Sequence, residues 1–138
     1  MIRNIWNIPC LGILANKQSQ QPSYIDIISG GYFYKDHTGT PMPPFRLVSR
    51  WEFNRDIEDG KATVTIEYPD KTEDAIPQAI TINQQGTGIL DLELDVTDLI
   101  GKSEGITYIS VELKDSNGCY SGIKTPIQMS PRPEPSTD

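Results

Sequence analysis

Four segments of this chain alternate between apolar and polar residues with a period of two, and this pattern constrains the fold more than any other feature. In a β-strand, successive side chains point to opposite faces, so such a segment buries one face and exposes the other. The alternating segments are residues 45–53, 61–68, 89–96 and 106–114. Weaker strands are predicted at residues 23–28, 31–35, 79–83 and 119–129. No segment keeps a helical period, although residues 96–101 are compatible with one helical turn.

Turn residues separate these segments. Asp59-Gly60 and Asn117-Gly118 are each predicted to lie between two strands, where such dipeptides favour hairpin turns because they tolerate positive φ. The chain has 11 Gly and 11 Pro among 138 residues, which is typical of many turns and little helix. Short strands with frequent turns predict an all-β fold, a two-sheet antiparallel sandwich.

Three regions are expected along the chain. Residues 1–22 form an extended N-terminal arm, residues 23–130 form the sandwich, and residues 131–138 form a Pro-rich C-terminal tail. Because proline lacks the N–H that a sheet requires, the tail should be extended and stay out of a central sheet. The N-terminal apolar run would make a poor secretory signal, since Asn7 and Pro9 interrupt it. It is also shorter than the ~20 apolar residues of a transmembrane helix.

Two motifs carry a resemblance to a known family. Gly105-Ile106-Thr107-Tyr108 opens an alternating strand that leads through Asp115-Ser116-Asn117-Gly118 to a final strand, and Trp51-Glu52-Phe53 stands upstream. Both motifs resemble those of PKD-type, immunoglobulin-like β-sandwich domains. The resemblance implies that fold, but no functional residues, and the chain departs from it by having Asn54-Arg55-Asp56 in place of glycine-aspartate-glycine.

Three aromatic residues are predicted to mark the core of such a sandwich. Trp51 would fill the space between the sheets, with Phe53 beside it. Tyr108 would pack at a sheet corner with its hydroxyl bonded to backbone.

The charge and the cysteines limit the classes of partner. The net charge is −7, and an acidic surface repels phosphate backbones, so no nucleic-acid partner is expected. A disulfide between Cys10 and Cys119 would tie the arm to the domain, and two free buried thiols are the alternative.

No catalytic residue, cofactor or metal site is predicted. His37 is the single histidine, in a turn-like segment without the spacing of a zinc site or a triad, and is interpreted as a surface loop residue. Asp56, Glu58 and Asp59 offer oxygen ligands for calcium, but their spacing fits no calcium loop and a solvated acidic turn explains them. A non-enzymatic protein is therefore expected.

The N-terminal region is more apolar than a free segment should be. It either returns to cover the chain's own sandwich or docks on another subunit. The docking alternative predicts a structural protein that assembles in many copies through its termini, most concretely a phage virion component such as a capsid decoration, neck or tail protein. The predicted interface residues are Ile2, Ile5, Trp6, Ile8, Leu11, Ile13 and Leu14.

A second function is compatible with the same fold. Tyr32, Phe33 and Tyr34 follow Gly30-Gly31, and exposed aromatic rings can stack on sugars. This pattern predicts a cell-surface adhesion or carbohydrate-binding module as the alternative, with an extracellular or cell-surface location instead of the virion.

Overall fold

The structure, a computed structural model, describes residues 1–15, 22–28, 30–34 and 39–132. Within these ranges the chain forms strands and turns, and the predicted all-β class is confirmed. The strands, in chain order, are β1 (Ile2–Ala15), β2 (Pro22–Ile27), β3 (Gly30–Tyr34), β4 (Thr40–Pro41), β5 (Phe45–Phe53), β6 (Ile57–Glu67), β7 (Glu73–Pro77), β8 (Ile82–Gln84), β9 (Gly88–Val96), β10 (Ile100–Gly101), β11 (Gly105–Asp115), β12 (Gly118–Ser121) and β13 (Thr125–Arg132).

The strands form two main sheets. The first sheet has the order β2-β1-β5-β9, and all of its pairings are antiparallel. The second has the order β3-β13-β11-β6-β7, with β12 beside β11 and β8 beside β6. Its β13–β3 pairing is parallel, so the prediction of a purely antiparallel sandwich was wrong at this edge. The short strands β4 and β10 pair with each other, and residues 96–101 contain β10 where a helical turn was expected.

One apolar core lies between the two main sheets, which makes the fold sandwich-like. Alternate residues of β5 and β9 point into it from the first sheet, and alternate residues of β6, β11 and β13 from the second. Trp51 is fully buried there, with Phe53 nearly so, because both fall on the inward phase of β5. The fully buried large side chains include Trp51, Tyr68, Leu47, Ile66, Leu94, Ile109, Leu113 and Met129.

Tyr108 lies outside this core, contrary to the sequence-based expectation. It is on the outward phase of β11, half-buried, with the Lys124 ammonium 5.9 Å from its ring centroid. A buried tyrosine whose hydroxyl bonds to backbone is found instead at Tyr68, immediately after β6. Its hydroxyl donates to Asp74 Oδ2 at 2.8 Å and accepts from the Ile100 N–H at 3.4 Å. Tyr68 thus joins the end of β6 to β10.

The two predicted turn dipeptides have different outcomes. The hairpin at 115–118 is confirmed: Asp115 pairs with Gly118, and Asp115 Oδ1 accepts from the N–H groups of Asn117 and Gly118. Asp59-Gly60, by contrast, lies inside β6, where a bulge against β8 holds Asp59 at φ 51°. The hairpin prediction was wrong there, because a bulge and a tight turn both require a residue that tolerates positive φ.

The predicted arm is an interior strand of the first sheet. β1 pairs with β5 from Ile2 to Cys10, and from Cys10 to Ala15 with β2. The Asn54 N–H donates to the Met1 carbonyl, and the Met1 amino group donates to Asn54 Oδ1, so two hydrogen bonds close the N-terminal end of this pairing. The predicted tail also contributes its first two residues, Pro131 and Arg132, to β13 beside β3.

Candidate docking site

The seven predicted interface residues of β1 are distributed over both faces of the first sheet. Ile2 is buried in the core, while Ile5 sits at a bulge where the register with β5 shifts between Asn4 and Trp6. Trp6 and Ile8 pair with outward-facing residues of β5, and Leu11 is 52% exposed. Ile13 is half-buried, and the side chain of Leu14 lies outside the described part. Ile2 thus packs in the chain's own core, and Leu11 is the most exposed large apolar side chain among those of β1 that the structure describes.

A buried polar network fixes β1 in place. Asn4 is 6% exposed, and its Nδ2 donates to the Arg50 carbonyl at 2.9 Å while its Oδ1 accepts from the Ile123 N–H at 2.9 Å. Asn7 Nδ2 donates to Asn4 Oδ1 at 2.9 Å, and the Ser49 hydroxyl donates to Asn7 Oδ1 at 2.6 Å. The network therefore joins the first sheet to the β12–β13 connection of the second.

Trp51 and Gly122 complete this network at its two ends. Trp51 Nε1 donates to Ser49 Oγ at 2.7 Å, which satisfies the one polar atom of the buried indole. Gly122 lies so close to the network that an added Cβ would be 2.6 Å from the Val111 carbonyl oxygen and 2.7 Å from Asn4 Oδ1. A side chain at position 122 would separate β1 from the second sheet.

On one side of the sandwich, a glutamine side chain hydrogen-bonds the backbone of an edge strand in place of a neighbouring strand. β9 is an edge of the first sheet, and the Asp95 backbone would present an open N–H and C=O there. Gln78, just after β7, accepts from the Asp95 N–H at 2.9 Å and donates to the Asp95 carbonyl at 3.0 Å. The other outward residues of β9 include Asp91 and Glu93, which pair with Arg50 and Arg46. This edge is therefore protected against further strand pairing.

The opposite side of the sandwich holds an apolar groove. β2 and β3 are the edges of their sheets there, and the chain passes directly from one to the other. Beside β3 on this side lies a cavity of about 550 Å³ that opens to solvent. Its lining residues are Leu11, Ile28, Gly30, Gly31, Tyr32, Met42, Pro43, Phe45, Gln128, Ser130 and Arg132. We call this cavity the edge groove.

The glycines of β3 give the edge groove its depth. A Cβ on Gly31 would lie 2.8 Å from Met129 Sδ and 2.9 Å from Met42 Cε, so β3 approaches the core methionines only because no side chain intervenes. A Cβ on Gly30 would lie 3.3 Å from the Gln128 carbonyl oxygen. Gly30 and Gly31 therefore let β3 lie close to β13 and to the two methionine side chains.

Arg132 places a positive charge at the edge groove. Its guanidinium carbon lies 4.4 Å from the centroid of the Tyr32 ring, a cation–π contact that orients both side chains. Among the described lining residues, Arg132 is the only charged one. A chain of net charge −7 thus presents a cation at its open apolar site.

The remaining candidate sites are not brought together. His37 lies outside the described residues, as does the turn around it. Asp56 accepts from the Gly86 N–H and Asp59 lies in the β6 bulge. Within the described ranges no three histidine, cysteine or acidic side chains converge as a metal site would require.

The two cysteines are unbridged. Cys10 is buried on β1 and Cys119 is exposed on β12, so the predicted alternative of two buried thiols holds only for Cys10. Burial is the main cause that raises the pKa of the Cys10 thiol. A hydrogen bond with Glu112 is the main cause that raises the pKa of the Cys119 thiol.

The edge groove was only partly visible in the sequence. Leu11 and Tyr32 were singled out for their apolar or aromatic character, but Met42, Phe45 and Arg132 were not connected with them. The sequence Pro41-Met42-Pro43-Pro44 could have indicated the groove. A methionine between prolines is unsuited to the interior of a sheet, and its flexible side chain can line a cavity.

Comparisons with known proteins add no family. No protein-family model matches the chain, and no curated protein matches its sequence. In the described part of the chain, no helix has the length and apolarity needed to cross a membrane.

Proposed function

We propose that this chain is a non-enzymatic structural protein that assembles with other protein subunits into a larger particle. The most concrete form of this proposal is a phage virion component, such as a capsid decoration, neck or tail protein. Its framework would be an immunoglobulin-like sandwich of the PKD type, with additional strands between Trp51 and Tyr108.

The difference between the two sides of the sandwich is the observation that carries this proposal. On the β9 side, Gln78 bonds the edge backbone and ion pairs cover the neighbouring strand. On the β2–β3 side, the edge groove is apolar and Leu11 stands 52% exposed at it. Exposed apolar surface beside open strand edges is typical of a protein–protein contact.

The docking surface in this proposal differs from the one expected from the sequence. Among the seven predicted interface residues whose side chains the structure describes, Ile2 is buried and the others, apart from Leu11, are half-buried. Leu11 keeps the docking role, together with groove residues of β3 and β13. Assembly would therefore use the open side of the folded sandwich.

A matched pair of substitutions tests the proposal. Leu11 and Ile89 are similarly exposed, at 52% and 57%, but Ile89 lies on β9. Sedimentation velocity over a wide concentration range should show self-association of the wild type. Leu11→Asp should weaken that association roughly tenfold or more, as loss of an apolar anchor does, and Ile89→Asp should leave it unchanged. A wild-type chain that stays monomeric at high concentration would contradict the proposal.

A carbohydrate-binding or adhesion module is the second candidate. The observation that favours it is Tyr32, which lines the edge groove with Arg132 against its ring. Aromatic faces beside a polar donor suit sugar rings. Glycan-array binding by the wild type that is lost in Tyr32→Ala would support this function, and no binding by either protein would end it.

A further inference from the structure

We infer that the edge groove holds the Pro-rich tail, residues 133–138, of a second copy of this chain. This inference rests on the proposed assembly function and names the segment that mediates it. Three features of the sequence and the groove lead to it: the chemical type of the tail and the groove, their charges, and the course of β13 along the groove up to Pro133.

The chemical types of groove and tail correspond. Proline-rich segments form stiff, extended helices, and they bind grooves lined with aromatic and other apolar side chains. The edge groove provides Tyr32, Phe45 and Pro43, and the tail begins Pro133-Glu134-Pro135. Because such a segment is stiff before it binds, it loses little conformational entropy on docking.

The charges correspond as well. Residues 133–138 carry two acidic side chains, Glu134 and Asp138, and no basic one. Most of an acidic protein's surface repels such a segment, whereas the described lining of the edge groove carries the single charge of Arg132. An acidic residue between two prolines can therefore pair with Arg132 while the prolines contact the apolar wall.

The path of the chain favours a second copy over the same molecule. Gln128, Ser130 and Arg132 line the groove in alternation along β13, so the described part of this strand runs along the groove as far as Arg132. Pro133 disfavours a helical turn at Arg132, and an immediate reversal into the same groove is therefore disfavoured. The six residues that follow span at most ~20 Å when extended, enough to reach an adjacent subunit.

Charge reversal on both partners tests this inference in the full-length chain. Arg132→Glu and Glu134→Arg, each alone, should weaken self-association about tenfold, and the double variant should restore most of it. Lys114→Glu is the matched control, because it makes the same charge change at the far end of β11 and should have no effect. A fluorescein-labelled peptide of residues 131–138 should bind the wild-type chain saturably and lose affinity for Arg132→Glu.

The outcomes separate this inference from the function it rests on. If Leu11→Asp weakens association while both charge variants associate like the wild type, the tail is not the occupant, although assembly through the groove stands. If the peptide binds the wild type and Arg132→Glu equally, the tail inference is also overturned. If the wild type never associates, both proposals fail.

Discussion

Replacing Asn4 tests whether β1 is an integral part of the fold. In Asn4→Ala, the Arg50 carbonyl and the Ile123 N–H each lose a 2.9 Å partner in a site that is 6% exposed. A buried polar group left without a partner costs about 1–3 kcal/mol. Because water can reach part of the site, we expect a total loss of about 2–4 kcal/mol in the free energy of unfolding.

Urea denaturation, followed by far-ultraviolet circular dichroism, measures this loss. With a slope of about 1–3 kcal/mol per molar urea, the midpoint should fall by about 1–2 M. Asn117→Ala is the control, because that side chain is exposed at a turn and its removal should change stability by less than about 0.5 kcal/mol. If Asn4→Ala were as stable as the control, β1 would not be held by this network and the interior position of the strand would be in doubt.

Three further results are expected from the same structure. Gly122→Ala should lower the free energy of unfolding by about 1–3 kcal/mol in urea denaturation, since its Cβ would lie 2.6 Å from a backbone oxygen. Gly118→Ala should lower it less, because the nearby tyrosine hydroxyl can move. Equal losses in the two variants would contradict this expectation. Burial, and then the hydrogen bond that the hydroxyl donates to Asp74, raise the pKa of Tyr68 from 10.0 to about 12. The neutral form of Tyr68 therefore stabilises the fold below pH 10, and that contribution is lost as the pH rises toward 12. Thermal melts across that range should show a smaller loss for Tyr68→Phe than for wild type, and parallel curves would refute the assignment. A thiol reagent should modify Cys119 in the native protein and Cys10 only after unfolding, with rapid native modification of both as the contradictory result.

Three of the four alternating segments were predicted almost to the residue, whereas the predicted strand 61–68 lacks the first four residues of β6, Ile57–Glu67. The segment 45–53 matches β5, and 89–96 and 106–114 each lie within one residue of β9 and β11 at either end. These strands have one buried and one solvated face, so the alternation of apolar and polar residues is enough to locate them in the sequence. Short strands such as β4, with two residues, carry no period at all.

β1 was not predictable in the same way because its sequence does not alternate. A bulge at Ile5 resets its phase, and inward positions are filled by Asn4 and Asn7, whose burial depends on partners from β5 and the β12–β13 connection. From the sequence alone, such a polar residue is predicted to be exposed, because its hydrogen-bond partner lies far away in the chain. The apolar character of the segment was therefore visible, but its place in the sheet was not.

The candidate site was visible only as separate residues. Tyr32 and Leu11 stood out for their side chains, whereas the groove depends on the parallel pairing of β3 with β13, which brings Arg132 beside Tyr32. Parallel pairings join segments far apart in the chain, and no local pattern specifies them. The protection of the β9 edge could not be predicted from the sequence either, since it depends on a single glutamine, Gln78.

Hydrogen exchange, measured at low and at high protein concentration, tests the central claim that the open side of the sandwich is the docking surface. We predict slower exchange at high concentration for the amides of residues 30–32, 128–130 and 132, with no change in residues 88–96 of β9. Slower exchange in β9, or unchanged exchange around the edge groove when sedimentation shows association, would contradict the claim.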